Sequence, residues 1–169
     1  MQRHTFTRSL LALAAAAVLP LAAQAQAVKL TLGHGAAPGN PRHEASLKFA
    51  EVLKAKTAGR IEVQVAPSAQ LGDDAAMVTA LRTGALDMSA NSQGAVANAV
   101  PEFAAYGMPF MFASPAAAFK VLDGPLGKEL ADRSAEKGMV QLGAWDNGIR
   151  HMTNSKRPIT KGADLEGLK

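Results

Sequence analysis

The stretch that decides the fold is VKLTLGHGAAPGNPRHEASLKFAEVLKAKTAGRIEVQVA, Val28 to Ala66. It opens with apolar and polar residues in alternation, Val28-Lys29-Leu30-Thr31-Leu32, which is the pattern of a strand. The loop GHGAAPGN follows, ending in Asn40 as a helix N-cap and Pro41 at the first helical position. Ala45, Phe49, Val52 and Leu53 then share one helical face, and Ala58-Gly59 ends the helix. Ile61, Val63 and Val65 alternate with Glu62 and Gln64 as a second strand. Strand, helix, strand at this length is a crossover unit, and it predicts a mainly parallel sheet with helices on its faces.

The same grammar continues downstream. Pro67 to Gly72 is loop, and Asp73 or Asp74 caps a helix whose inner face is Met77, Ala80 and Leu81, stopped near Gly84. Leu86 to Ala90 reads as a third strand. VPEFAAYGMPFMF, Val100 to Phe112, concentrates aromatic residues and is expected to be a core-packing connector. Helices are predicted over Pro115–Leu122 and Pro125–Lys137. Strand-like runs follow over Met139–Trp145 and Ile149–Thr153, and then a short helical turn within Asp164–Lys169.

Upstream, MQRHTFTRSLLALAAAAVLPLAAQAQA has a short basic region, an apolar run from Leu10 to Ala23, and small residues in the A-x-A pattern. That is the layout of a secretory signal peptide, with cleavage near Ala25 or Ala27. Pro20 breaks the run, which is short for a membrane span of ~20 residues. An exported protein in a bacterial periplasm is therefore expected, with about 140 residues left for a domain.

Loss of Arg3 and Arg8 takes Lys and Arg from 18 to 16, against 14 Asp and Glu, so the basic balance mostly disappears with the leader. No basic block exceeds two residues and no aromatic residues are interleaved, which argues against a nucleic-acid surface. There is no cysteine, hence no disulfide and no thiolate metal site.

Candidate sites are few. Gly33-His34-Gly35 lies between strand and helix, but the third glycine of a dinucleotide fingerprint should fall at position 38, which is Pro38. His34, His43 and His151 lack the spacing of a zinc site, and Asp73-Asp74 reads as a helix cap rather than an acid–base pair. No serine stands in a nucleophile-elbow context, so no cofactor, metal or catalytic constellation is expected. Asn91-Ser92-Gln93 follows the third strand, at the sheet edge that also carries His34. Arg150 lies in an alternating run. On the outer face it is an ordinary surface charge; on a covered face it needs an anion, and a carboxylate suits its planar fork.

Taken in order, LGHGAAPGNPRH, APSAQLGDD, TGALDMS, VPEF, MPF, VLDGPLGKEL, WDNGIRHMTNSKRPI and DLEGLK resemble the solute-binding proteins of tripartite ATP-independent periplasmic (TRAP) transporters, over the whole chain after the leader. The resemblance implies a two-lobed, periplasmic-binding-protein-like α/β receptor, not an enzyme. Such a receptor closes on a small organic acid and delivers it to membrane permease subunits. It implies ligand contact by Arg150 of the N-G-x-R motif and by Ser92, with His34, Gly35, Asn91, Gln93, Asn147 and Trp145 as further candidates. It implies residues 1–27 as leader, 28–148 as the first lobe and 149–169 as the crossover into the second, so that only the first lobe and the start of the second are present. The chain is expected to be truncated before a second clamping arginine, to bind no acid usefully alone, and to be monomeric when complete. The solute-binding component of an ATP-driven importer and a periplasmic α/β hydrolytic enzyme are the alternatives; the first shares the architecture but not these motifs.

Overall fold

A computed structural model describes residues 26–148 and 153–168. Its centre is β1 (Val28–Gly33), paired in parallel on one side with β2 (Ile61–Ala66) and on the other with β3 (Met88–Ser89), in the order β2-β1-β3. The register runs from Val28 opposite Ile61 to Gly33 opposite Ala66, while only Leu32 and Gly33 meet β3. The parallel sheet flanked by helices is as expected, and three strand positions agree with the alternation pattern.

α1 (Pro41–Lys56) begins where Asn40 accepts the Arg42 N–H, and Pro41 supplies the preset φ of a first helical residue. It ends as Gly59, at φ 78°, returns its N–H to the Lys54 carbonyl. α2 (Asp74–Arg82) is capped by Asp73 and stopped at Gly84, φ 73°, with the Ala85 N–H on the Ala80 carbonyl. A four-residue helix, α3 (Gln93–Val96), follows β3 and leads to a 3-10 helix over Pro101–Gly107. α4 (Pro115–Leu122) and α5 (Pro125–Glu136) match their predicted spans to within a residue, and a second 3-10 turn covers Gly162–Leu165. Among the described residues, no helix is long and apolar enough to cross a membrane.

The core lies toward the carboxyl ends of the strands. Leu32, Ala66, Met77, Val78 and Leu86 are buried there, and Val100, Phe103 and Leu130 form a cluster where the 3-10 helix meets α5. Met77 has no exposed surface, and its sulfur would lie 2.7 Å from a Cβ at Gly33, so the strand must be bare at this point.

Four expectations need correction. The third strand is two residues rather than five. Leu86 is held in the turn after α2 through the Ala80 carbonyl, and the Asp87 carboxylate takes the Thr31 N–H that a ladder carbonyl would have accepted. The connector packs inward only in its first half. Phe103 is buried, but Phe110 sits in a turn at φ 61° with 98% of its surface exposed. The expected inner face of α1 is only half covered, with Val52 exposed, and its one fully buried residue is Ser46, whose hydroxyl donates to the Arg42 carbonyl. Met139–Trp145 forms no strand: the Met139 N–H closes the end of α5 on the Ser134 carbonyl, and Val140 and Leu142 are exposed. The run over Ile149–Thr153 lies outside the described residues except for Thr153, and residues 1–25 of the leader lie outside them too.

Met77→Ala should lower stability by about 2–5 kcal/mol through lost burial and the cavity left behind. Urea denaturation followed by far-UV circular dichroism measures it; a loss under about 1 kcal/mol would mean the sheet–α2 interface is not packed as described.

Candidate functional site

Parallel pairing sends the loops after β1 and β3 to the same edge of the sheet, where the first turns of α1 and α2 also begin. Open α/β sheets take their ligands at this edge, beyond the carboxyl ends of the strands.

His34, the first residue after β1, has no exposed surface. Its Nδ1 accepts the Ala36 N–H at 3.1 Å, so the ring proton is on Nε2, which donates to His43 Nδ1 at 3.2 Å. Burial holds this imidazole below its ordinary pKa, with further lowering from His43 and Arg42 and an opposing contribution from Asp74. It is therefore neutral at physiological pH. Its place is inside the wall of the site.

Arg42 and Asp74 face each other from the starts of α1 and α2. Arg42 Nη1 lies 3.5 Å from both Asp74 oxygens and donates to the Ala90 carbonyl at 3.2 Å. Asp74 Oδ2 accepts from the Ser92 N–H at 2.9 Å and from the Ser92 hydroxyl at 2.8 Å. Asn91 donates to the Ser89 hydroxyl at 2.8 Å, while its own side-chain oxygen is buried without a partner. The Gln93 side-chain oxygen is likewise unpaired; its amide lies against Gly107, where a Cβ would meet it. Gly35 is exposed beside this network.

A second group sits across the start of α1. Asn40, Pro41, Asp146, Asn147 and Gly148 line a cleft of about 280 Å³, small for a ligand pocket but at its margin. Asp146 folds this segment by accepting the Gly148 N–H at 2.8 Å. Trp145, partly exposed, tilts against Phe49 of α1 with ring centroids 6.3 Å apart.

The predicted candidates thus fall into two sets joined by the first turn of α1. His34, Gly35, Asn91, Ser92 and Gln93 belong to the sheet edge, Asn147 and Trp145 to the cleft side. Arg150 lies outside the described residues. Sequence reasoning missed Arg42, His43 and Asp74 as partners. The available signal was the doubled Asp73-Asp74, since one residue suffices to cap a helix and the other is left free for a different task.

Among the described residues, the arrangement holds donors and acceptors without a nucleophile–base relay. The Ser92 proton goes to a carboxylate, not to an imidazole, and the His34 proton goes to another imidazole. Among the described residues no group of three or more His, Cys, Asp or Glu is placed to hold a metal ion.

The model of the family DctP, bacterial extracellular solute-binding protein family 7, matches residues 32–169. The chain is 53% identical over 169 residues to the uncharacterized protein y4mM of Sinorhizobium fredii, covering 99% of this chain and 31% of that protein. It is 34% identical over 165 residues to the 2,3-diketo-L-gulonate-binding periplasmic protein YiaO of Escherichia coli, covering 98% of this chain and 49% of that one. A TRAP periplasmic solute-binding protein from Polaromonas, solved bound to D-erythronate, superposes with a TM-score of 0.80 at 34% identity, over 84% of this chain and 47% of that one. The chain spans half or less of the length of these relatives.

Because its folded pKa is depressed, His34 binds fewer protons in the native state than in the unfolded state just below the ordinary value of 6.5. Its stabilising contribution is therefore complete above that value and falls as the pH drops through it. The urea midpoint is expected to fall between pH 7.5 and 5.5, and His34→Gln to flatten that slope; equal slopes would show that His34 is not the titrating group.

Proposed function

The chain belongs to family 7 of the bacterial extracellular solute-binding proteins, and from that premise we propose that it serves as the periplasmic receptor of a TRAP transporter. In this role it binds a small organic acid by its carboxylate and hands it to the membrane permease subunits. The observation that supports this reading is the convergence of the loops after β1 and β3 with the first turns of α1 and α2 at one sheet edge, with the Asn147 cleft beside it.

A hydroxylated monocarboxylate fits the reading better than a simple dicarboxylate. The YiaO relative is named for 2,3-diketo-L-gulonate and the Polaromonas structure holds D-erythronate, both acids with several oxygen functions along the chain. The Asn147 amide, on the cleft, offers a donor and an acceptor for such oxygens. Arg150 is assigned to the carboxylate, Ser92 and Asn147 to the flanking oxygens, and Trp145 to the apolar wall. His34 supports the wall from behind, and Gly35 lets the loop come close. Residues 28–148 form the first lobe and 149–169 the passage toward a second, with export completed by cleavage near Ala25 or Ala27.

Receptors of this type gain affinity by enclosing the ligand between lobes. In calorimetric titration, the isolated 169-residue chain is expected to show no micromolar binding of any organic acid. A chimera joining it to the second half of the E. coli relative is expected to bind a sugar acid in that range, and Arg150→Ala to weaken it by about 100-fold or more. Micromolar binding by the isolated chain would overturn the two-lobe requirement. A folded chimera that binds no acid would overturn the receptor assignment.

A further inference from the structure

Asp74 is the first residue of α2, yet its carboxylate does not cap that helix; Asp73 does so, accepting the Ala76 N–H at 2.8 Å. The Asp74 carboxylate turns instead toward two other elements. Its Oδ2 receives the Ser92 N–H at 2.9 Å and the Ser92 hydroxyl at 2.8 Å, and both its oxygens lie 3.5 Å from Arg42 Nη1. The Arg42 and Asp74 side chains are 21% and 20% exposed. Beyond Oδ1 stands Gly35, where a Cβ would lie 3.2 Å from that oxygen, so any side chain there presses on the carboxylate.

A main-chain N–H, a hydroxyl and a guanidinium converging on one carboxylate are the parts of a carboxylate receptor, in which charge-assisted bonds are about twice as strong as neutral ones. The geometry points to a carboxylate seat, made by Arg42 and Ser92, that the chain fills with its own Asp74. Asp74 is thereby a positioning residue for Ser92, the end of a loop whose Ala90 is held separately by Gly33 and Arg42. One carboxylate holds three segments: the start of α1 through Arg42, the start of α2 through its own backbone, and the loop after β3 through Ser92. Removing it leaves the Ser92 N–H without its acceptor and the partly covered guanidinium with the Ala90 carbonyl but no counter-charge, the situation that makes loss of one partner more damaging than the net worth of the pair. The seat follows from these bonds alone and stands whether or not the neighbouring cleft takes an organic acid.

The test uses the 169-residue chain and formate, which is the Asp74 head group without its tether. Asp74→Ala is expected to melt several degrees below the parent. Sodium formate, compared with sodium chloride at equal ionic strength, is expected to restore about half of that loss by mass action at the vacated seat. Formate should leave the parent protein unmoved and raise the Asp74→Ala/Arg42→Ala double variant less than Asp74→Ala alone. No formate-specific rise in Asp74→Ala, or an equal rise in all three proteins, overturns the seat. Should Asp74→Ala fail to fold even with formate, Asp74→Asn decides. It keeps the shape and one acceptor for Ser92 but presents no charge. The His34 ring titration followed by NMR is then expected to shift to lower pH, because Asp74 no longer opposes Arg42 and His43. An unchanged His34 midpoint in a folded Asp74→Asn protein overturns the assignment.

Discussion

Parallel pairing on both sides of β1 is the constraint from which the rest follows. Two parallel neighbours forbid tight hairpins, so the chain must return over a face of the sheet between β1 and β2 and again before β3. Each return is a helix, and each helix starts from the same sheet edge. The residues that open those helices, Asn40 to His43 and Asp73 to Asp74, are therefore neighbours in space although 30 residues or more separate the two groups in sequence. The site is a consequence of strand direction before any side chain is considered.

What the edge then requires is polar satisfaction. His34 is fully buried and remains so because both ring nitrogens are bonded, one to the Ala36 amide and one to His43. At the neighbouring pair, the ion contact is long. At 3.5 Å and one-fifth exposure, the Arg42–Asp74 attraction belongs with partly solvated pairs, for which about 0–1 kcal/mol is ordinary. The two Ser92 bonds are shorter by more than half an ångström, and hydrogen bonds to a charged acceptor contribute about 1.5–3 kcal/mol. Ser92 therefore dominates in holding the carboxylate, and Arg42 chiefly balances its charge.

The sequence disclosed whatever is encoded locally. Alternation located β1 and β2, and the caps Asn40 and Asp73 and the stops Gly59 and Gly84 act in the roles their residue types suggest. Local chemistry also explains what was misread. Asp87 displaces a ladder acceptor with its side chain, and the Met139 N–H is taken by the end of α5, neither of which alternation registers. At the site, Ser92 was legible as a polar residue after a strand. Its partner was not, because the Asp74–Ser92 contact spans 18 residues and Arg42–Asp74 spans 32. Periodicity reports which face a residue occupies and is silent about what lies opposite.

Charge at the site then separates two tasks that the sequence pattern had merged. Ser92 carries the donors best placed to receive an anion at the sheet edge, and both point at Asp74. A second carboxylate brought there would meet an acceptor already in place and a negative charge that Arg42 balances only once. Repulsion between like charges at about 4 Å is roughly 4 kcal/mol at an effective dielectric of 20, more than one additional hydrogen bond returns. Under the organic-acid reading, the ligand's carboxylate is thus disfavoured beside Ser92 and needs a cation elsewhere. Asn147 and Gly148 line the neighbouring cleft, and Arg150 stands two residues further along the chain. Ser92 retains its lone pairs as acceptors, so it suits a ligand hydroxyl better than a ligand carboxylate. Under that reading, the polar residue after the third strand and the arginine proposed for the carboxylate would take different ends of one molecule.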